Sequence, residues 1–153
     1  MSDLWWADEA PWVQVIPNDS TVSAVEALPP SGAVYSARMQ GLEMTDTDGV
    51  FTQFYETLRL PNYFGWNFNA LRDCLFDLGW LEATRYLLTI DNAEFILSEH
   101  PEERDIFLRI LASSAQHWAA KPGFPEREKV TFHVVLLCAP DSCTELKNEV
   151  SGA

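Results

Sequence analysis

The sequence has 153 residues, of which 47% are hydrophobic, so it can form one domain whose core needs neither a metal ion nor a disulfide. Its 10 lysines and arginines against 23 aspartates and glutamates give a formal net charge of −13. That charge argues against binding to nucleic acid or anionic membranes and favours a basic partner. Because the charges are spread over the whole chain, a role in solubility alone explains them equally well.

The three cysteines do not follow a metal-binding pattern. Cys138 and Cys143 have four residues between them, unlike the pair in a C-x-x-C zinc or redox motif. The N-terminal segment carries Asp8 and Glu9 instead of the basic and apolar regions of a signal peptide, and no apolar stretch is long enough to cross a bilayer. We therefore predict a cytoplasmic protein with no metal site and no cofactor.

Residues 1–32 are predicted to form an N-terminal extension packed on the core. Within it, Trp12–Ile16 is typical of a short strand that ends at Pro17. The extension contains three tryptophans, Trp5, Trp6 and Trp12. They either cover the edge of the core or form an exposed site for a partner. The loop Pro29–Gly32 marks the boundary to the main domain, residues 33–140.

The main domain begins with a predicted strand at Ala33–Met39. A helix follows, with capping side chains in Thr45–Asp48, and it ends before Pro61. Its apolar face consists of Val50, Phe51, Phe54, Tyr55 and Leu58.

The second half of the domain contains one buried strand and one long helix. Tyr86–Ile90 is a continuous apolar run, typical of a central strand. A short helical turn is predicted in Asp91–Leu97, and the long helix runs from His100 to the break at Pro122–Pro125. Its predicted inner face consists of Ile106, Phe107, Ile110, Leu111, Ala115 and Trp118.

The last predicted strand is Val130–Leu137, which Pro140 ends, and residues 141–153 are predicted to be a polar, loosely held C-terminal tail. The order strand, helix, helix, strand, helix, strand predicts an α/β fold with a small, mainly parallel sheet of three strands flanked by helices. Trp12–Ile16 could add a fourth strand at an edge.

Leu60–Trp80 is the most informative segment. Pro61 stops the preceding helix, Gly65 provides a flexible turn position, and Asn67 is a favoured N-cap residue for a new helix. Gly79 stands where a helix prefers its left-handed C-terminal residue. The inner face of this helix is predicted from three- and four-residue spacings to consist of Phe68, Leu71, Leu75 and Leu78.

The opposite side of this unit is mixed in character. It consists of Tyr63, Phe64 and Trp66 in the turn, followed by Asn69, Arg72, Asp73, Phe76 and Asp77 on the helix. One interpretation is a solvent-exposed helix side with aromatic residues folded back onto the core. The other is a recognition surface, because aromatic area, amides and a central charge are typical of protein interfaces.

The same segment carries a dense pattern of Leu60-Pro61, Tyr63-Phe64, Gly65, Asn67, Ala70-Leu71 and Asp73-Cys74-Leu75. In this pattern it resembles the barstar family of ribonuclease inhibitors, and a weaker correspondence in element order extends from about Ala33 to about Ala139. The resemblance implies a three-stranded parallel sheet flanked by helices. It also implies that the residue at Asp73 enters the phosphate-binding pocket of a nuclease. The contact surface that it implies comprises Tyr63, Phe64, Gly65, Asn67, Asn69, Arg72 and Asp73, with Trp80 near it.

Several positions depart from the inhibitor that gives the family its name. Asn69 replaces an acid, Arg72 replaces a tryptophan and Trp66 replaces an acid. Two extra residues lie between Asp73 and Trp80, and an acidic contact late in the last helix falls near Ser113. These differences argue against barnase itself as the target.

An enzyme is the weakest of three interpretations. His100, His117 and His133 are far apart, and no phosphate loop or hydrolase motif is present. Asp73-Cys74 could suggest an activated thiol, but Cys74 falls on or beside the inner helix face. We predict a monomeric immunity protein that binds a basic ribonuclease toxin in a 1:1 complex. The alternative is a binding module of the same fold with a non-nuclease partner.

Overall fold

A computed structural model of the chain describes residues 12–18, 34–81, 83–120 and 130–152. Trp5, Trp6, the boundary at Pro29–Gly32 and the break at Pro122–Pro125 lie outside the described residues. The elements in chain order are β1 (Val13–Pro17), β2 (Val34–Gln40), a 3₁₀-helix (Gly41–Glu43), α1 (Thr47–Thr57), α2 (Phe68–Asp77), β3 (Arg85–Asp91), a second 3₁₀-helix (Ala93–Phe95), α3 (Pro101–Ala120), β4 (Thr131–Cys138) and α4 (Pro140–Gly152).

The four strands form one sheet in the order β1-β4-β3-β2. All three pairings are parallel, with Val13 opposite Val134 and with Tyr86 between Tyr35 and Phe132. This confirms the predicted α/β fold and the extra N-terminal strand, which lies at the edge beside β4. Pro17 is the last residue of β1, and it is tolerated because β1 is an edge strand.

The main hydrophobic core lies on one face of the sheet. Leu88 and Ile90 of β3 and Val134 and Leu136 of β4 join it, together with buried residues from all four helices. The alternate residues of the same strands form a smaller cluster on the opposite face, which consists of Leu87, Val135 and Leu137 with the partly buried Ile16 and Val34. Burial on both faces explains why β3 and β4 read as continuous apolar runs.

The inner face of α3 differs from the prediction at one position. Phe107, Ile110, Leu111, Ala115 and Trp118 are buried as expected. Ile106, however, is 43% exposed, because helical periodicity places it beyond Ile110, at the edge of the buried stripe. The buried residues that the prediction omitted are Leu108 and Ser114.

The C-terminal residues form helix α4, where the sequence predicted a polar tail without regular structure. Pro140 is the first residue of this helix, a position that suits its fixed φ angle and missing N–H. Cys143 and Leu146 are buried, and Val150 packs against the same core. Their spacing places all three on one side, and this short apolar stripe is what holds a mostly polar helix on the domain.

Candidate protein-binding site

The turn between α1 and α2 is held by backbone and side-chain hydrogen bonds. The Phe64 N–H donates to the carbonyl oxygen of Pro61 at 2.9 Å. Asn67 caps α2, because its Oδ1 accepts from the Ala70 N–H at 2.8 Å. Its Nδ2 donates back to the carbonyl oxygen of Gly65 at 3.0 Å. A single amide side chain therefore fixes both the start of the helix and the turn before it.

Directly before α2 the left-handed residue is Trp66 rather than Gly65; Arg59, at the start of the same connection, is also left-handed. Trp66 has φ 53°, whereas Gly65 lies outside the left-handed region. A Cβ at Gly65 would come within 3.1 Å of Asn67 Nδ2, so the glycine gives the capping amide room. A bulky side chain with positive φ is rare and costs roughly 1–2 kcal/mol. Such strained residues cluster at functional sites, so Trp66 is a candidate recognition residue.

Trp66 lies on an aromatic cluster. Its ring centroid is 5.1 Å from Phe64, 5.4 Å from Tyr55 and 6.2 Å from Phe51. Even so, 47% of Trp66 is exposed, and Tyr63 is 75% exposed. Phe64 is only 8% exposed, so it supports the surface from below instead of contributing contact area. The turn thus presents two large aromatic side chains on a packed base.

The inner face of α2 is packed as predicted, although Phe68 at its start is only partly buried. Leu71, Leu75 and Leu78 are almost completely buried, and Cys74 is buried beside them. Trp118 of α3 donates its Nε1–H to the carbonyl oxygen of Leu75 at 2.8 Å. These contacts fix the rotation of α2 about its axis, and with it the direction of the outer side chains.

The end of α2 differs from the prediction, because the left-handed residue is Leu78 and not Gly79. Leu78 has φ 51° and its N–H donates to the carbonyl oxygen of Cys74. Its side chain is buried, and that packing holds a conformation that leucine alone disfavours. The Gly79 N–H instead donates to Asp77 Oδ1 at 3.1 Å.

The outer face of α2 is polar and exposed. Asn69, Arg72, Asp73 and Asp77 all lie there, with the Asp73 side chain 73% exposed. Arg72 Nη2 is 3.4 Å from Asp73 Oδ1, a long contact between exposed groups. Such a pair is worth about 1 kcal/mol or less, so Asp73 remains available to a partner.

Phe76 and Trp80 are half-buried, and each contacts another element. The Phe76 ring stacks on His117 of α3 with centroids 4.2 Å apart and an interplanar angle of 10°. Trp80 donates its Nε1–H to the carbonyl oxygen of Leu58 at 2.8 Å. The sequence did not single out His117 as a site residue, since nothing local indicates which ring a helix will meet. Ser113, one turn before His117, is exposed on α3.

Cys74 is not an activated thiol. Burial raises the pKa of the Cys74 thiol, and the carboxylates of Asp73 and Asp77 raise it further, so at neutral pH it is a protonated thiol. Among the described residues, no group of three or more His, Cys, Asp or Glu side chains could hold a metal ion. Likewise, none of the described helices has the length and apolar character needed to cross a membrane.

A sequence profile described as Barstar (barnase inhibitor) matches residues 34–137, well over half of the chain. The chain belongs to the barstar family. The match contains the whole turn and α2, whereas β1 and α4 lie outside it. No curated protein is similar enough to the chain to count as a match. The description of that profile names an inhibitor of barnase, so the activity it attaches to the family is protein binding.

Proposed function

We propose that this barstar-family protein is an inhibitor, of the immunity type, that binds a ribonuclease toxin and blocks its active site. The observation that carries the proposal is the exposed carboxylate of Asp73 on a rigid helix face. The two exposed aromatic residues Tyr63 and Trp66 lie on the turn that leads into the same helix. Tyrosine and tryptophan anchors contribute much of the binding energy in protein interfaces, and breaking a buried charge pair at an interface is costly as well.

The proposed mechanism is occupation of the phosphate site. A ribonuclease binds RNA phosphate with cationic side chains and N–H donors. The Asp73 carboxylate can take the place of the phosphate and accept charge-assisted hydrogen bonds from the same donors. Because the inner face of α2 is packed and Asn67 fixes its start, the backbone that carries the carboxylate is already in place before binding. Little backbone entropy is therefore lost when the complex forms.

The aromatic turn extends the surface. Tyr63 and Trp66 offer contact area with few rotatable bonds, and Asn69 offers an amide on the first turn of α2. Phe64 and Tyr55 support Trp66 from within the domain. In this arrangement the turn covers the mouth of the cleft and excludes water around the central charge pair.

Net charge adds a long-range component to association. A protein with a formal charge of −13 attracts a basic nuclease before contact, which raises the association rate at low ionic strength. This contribution does not depend on the fine geometry of the site.

Arg72 should make binding selective for a particular nuclease. Its guanidinium lies on the exposed face beside Asp73, where a purely cationic cleft would repel it. The cognate nuclease should therefore offer a carboxylate or carbonyl groups opposite Arg72, such as a carboxylate that serves as the catalytic base. A bidentate contact between the Arg72 guanidinium and a carboxylate would strengthen binding to such a partner. A partner without an acceptor would leave the Arg72 charge buried and unpaired, which weakens binding.

The second candidate function is a binding module for a non-nuclease partner. It is favoured by the departures at Asn69 and Arg72, which make this face less acidic than that of the family's archetype. A toxin-like reading frame with a basic nuclease domain next to the gene would favour the inhibitor.

Capture from the host lysate separates the two. Tagged protein should retain a basic ribonuclease whose cleavage of RNA is suppressed in the complex. The Asp73→Ala variant should lose it. A matched control is Asp141→Ala, which removes the same charge from an exposed site on α4. Retention of a non-nuclease protein by the parent and both variants would contradict the inhibitor proposal.

A further inference from the structure

Two cysteine side chains meet where β4 passes into α4. Cys138 is the last residue of β4, and Cys143 lies in the first turns of α4. Their sulfur atoms are 2.8 Å apart, and both residues are buried. Both are free thiols. Only the short segment Ala139–Ser142 connects them, so the two cysteines are close in the sequence as well as in space.

We propose that Cys138 and Cys143 form an oxidation site, a dithiol that small-molecule disulfides such as oxidised glutathione convert into an intrachain disulfide. A disulfide needs its sulfur atoms about 2.05 Å apart, so closure requires only a small movement. The proposal is independent of the proposed function, because Cys138 and Cys143 lie beyond the residues that the family profile matches.

The reaction balances as two thiol–disulfide exchanges. The thiolate of Cys143 attacks one sulfur of the oxidised glutathione, which breaks the S–S bond and releases one glutathione thiolate. Cys138 then attacks the Cys143 sulfur of the mixed disulfide and releases the second glutathione. The two protons lost by the cysteines are taken up by the two departing thiolates. The protein is oxidised by two electrons, and one glutathione disulfide is reduced to two thiols.

Burial means that the first exchange needs local opening of α4. Burial raises the pKa of the Cys138 thiol to about 12, and the neighbouring Cys143 and Glu94 act in the same direction. A thiol with so high a pKa is a poor nucleophile at neutral pH, so Cys138 is not the residue that attacks glutathione first. Helix α4 carries few buried side chains. The ion pair that links it to α3, between Arg104 and Glu149 at 3.3 Å, would have to break when the helix opens. Segments with few buried contacts open more readily than the core, so Cys143 can be reached.

The consequence of closure is a covalent link between the sheet and α4. Because the closed loop is short, the constraint on the unfolded chain is modest, and the main effect is on local opening. Amide hydrogen exchange in α4 should slow after oxidation, whereas exchange in α2 should stay the same.

Intact-mass measurement tests the proposal. The folded full-length protein is incubated with oxidised glutathione, quenched in acid, unfolded, and treated with a maleimide. We expect one maleimide, on Cys74, instead of three, and the loss of two hydrogen atoms. Trypsin does not cut between Cys138 and Cys143, so the peptide Val130–Lys147 should carry the loss and no maleimide. Reduction with dithiothreitol should restore all three reactive thiols.

Two variants act as controls. Cys74→Ser should still lose two hydrogen atoms, because its dithiol is intact, whereas Cys143→Ser should keep Cys138 available to the maleimide. Three maleimides on the treated parent protein would overturn the proposal. Glutathione adducts without closure, or a disulfide that involves Cys74, would overturn it as well.

Discussion

The two faces of α2 have opposite constraints although they share one backbone. Asp73 is 73% exposed at its side chain, and the next residue, Cys74, is 5% exposed. On the inner side, Leu71 and Leu75 have no exposed surface, so their size and shape are fixed by the core. On the outer side, Arg72 and Asp73 are exposed to solvent, so a partner can determine their identity. Stability and recognition should therefore respond to different substitutions on the same helix.

The largest effect on the inner face is expected from Leu75→Ala. Removing a fully buried leucine side chain leaves a cavity, so the free energy of unfolding should fall by about 2–5 kcal/mol. Urea denaturation measures this change. The matched control is Asn69→Ala on the outer face, which should change the same free energy by less than about 0.5 kcal/mol. Equal urea midpoints for Leu75→Ala and the parent would show that Leu75 does not lie on the buried face of α2.

The charge on the outer surface should be visible in the association rate. Because the protein carries a formal charge of −13, the rate constant for binding its basic partner should fall about tenfold or more from low to high salt. The dissociation rate should change much less. Stopped-flow traces at several salt concentrations provide both rates. An association rate that does not change with salt concentration would contradict the prediction of a basic partner.

Asn67 caps α2 and also holds the turn before it, and two substitutions separate these roles. Asn67→Ala removes the cap and should lower the free energy of unfolding by about 1 kcal/mol. Asn67→Asp keeps an acceptor for the Ala70 N–H but loses the donor to the Gly65 carbonyl oxygen. It should melt like the parent and bind the partner more weakly, because the turn is no longer held. Calorimetric melting and titration measure the two quantities, and parent-like affinity for Asn67→Asp would show that the turn needs no such support.

The smallest effect on stability is expected at Arg72. Its ion pair with Asp73 is long and exposed, so Arg72→Trp should change the free energy of unfolding by less than about 0.5 kcal/mol. Its effect should be on selectivity. Affinity for the cognate partner should fall more than affinity for a noncognate nuclease of the barnase type. Arg72→Lys, which keeps the charge without the bidentate fork, should lie in between. Equal changes for both partners would make Arg72 an ordinary solvent-exposed side chain.

Much of the fold could be predicted from the sequence because the signals are local. The inner leucines of α2 follow from spacing, its start follows from the capping chemistry of Asn67, and β3 and β4 follow from continuous apolar runs. The parallel sheet follows from the order of elements. The match of the family profile then agrees with the pattern in Leu60–Trp80.

What could not be predicted depends on distant contacts. The stacking of Phe76 on His117 and the burial of Phe64 arise only when α1, α2 and α3 assemble. At the two ends of α2 the left-handed conformations are those of Trp66 and Leu78, not of the nearby Gly65 and Gly79. Packing of the two large side chains outweighs the preference of glycine for positive φ. Helix α4 was missed since its two buried residues, Cys143 and Leu146, are too few to stand out in a polar segment.

The central claim, that the outer face of α2 binds through Asp73, is tested most directly by calorimetric titration of the captured partner with the parent and with Asp73→Ala. Removing one member of a buried charge pair should cost about 2–5 kcal/mol of binding free energy. Because the side chain is exposed in the free protein, the melting temperature should stay the same. A large loss of affinity with unchanged melting is the predicted result. Unchanged affinity for Asp73→Ala would contradict the account.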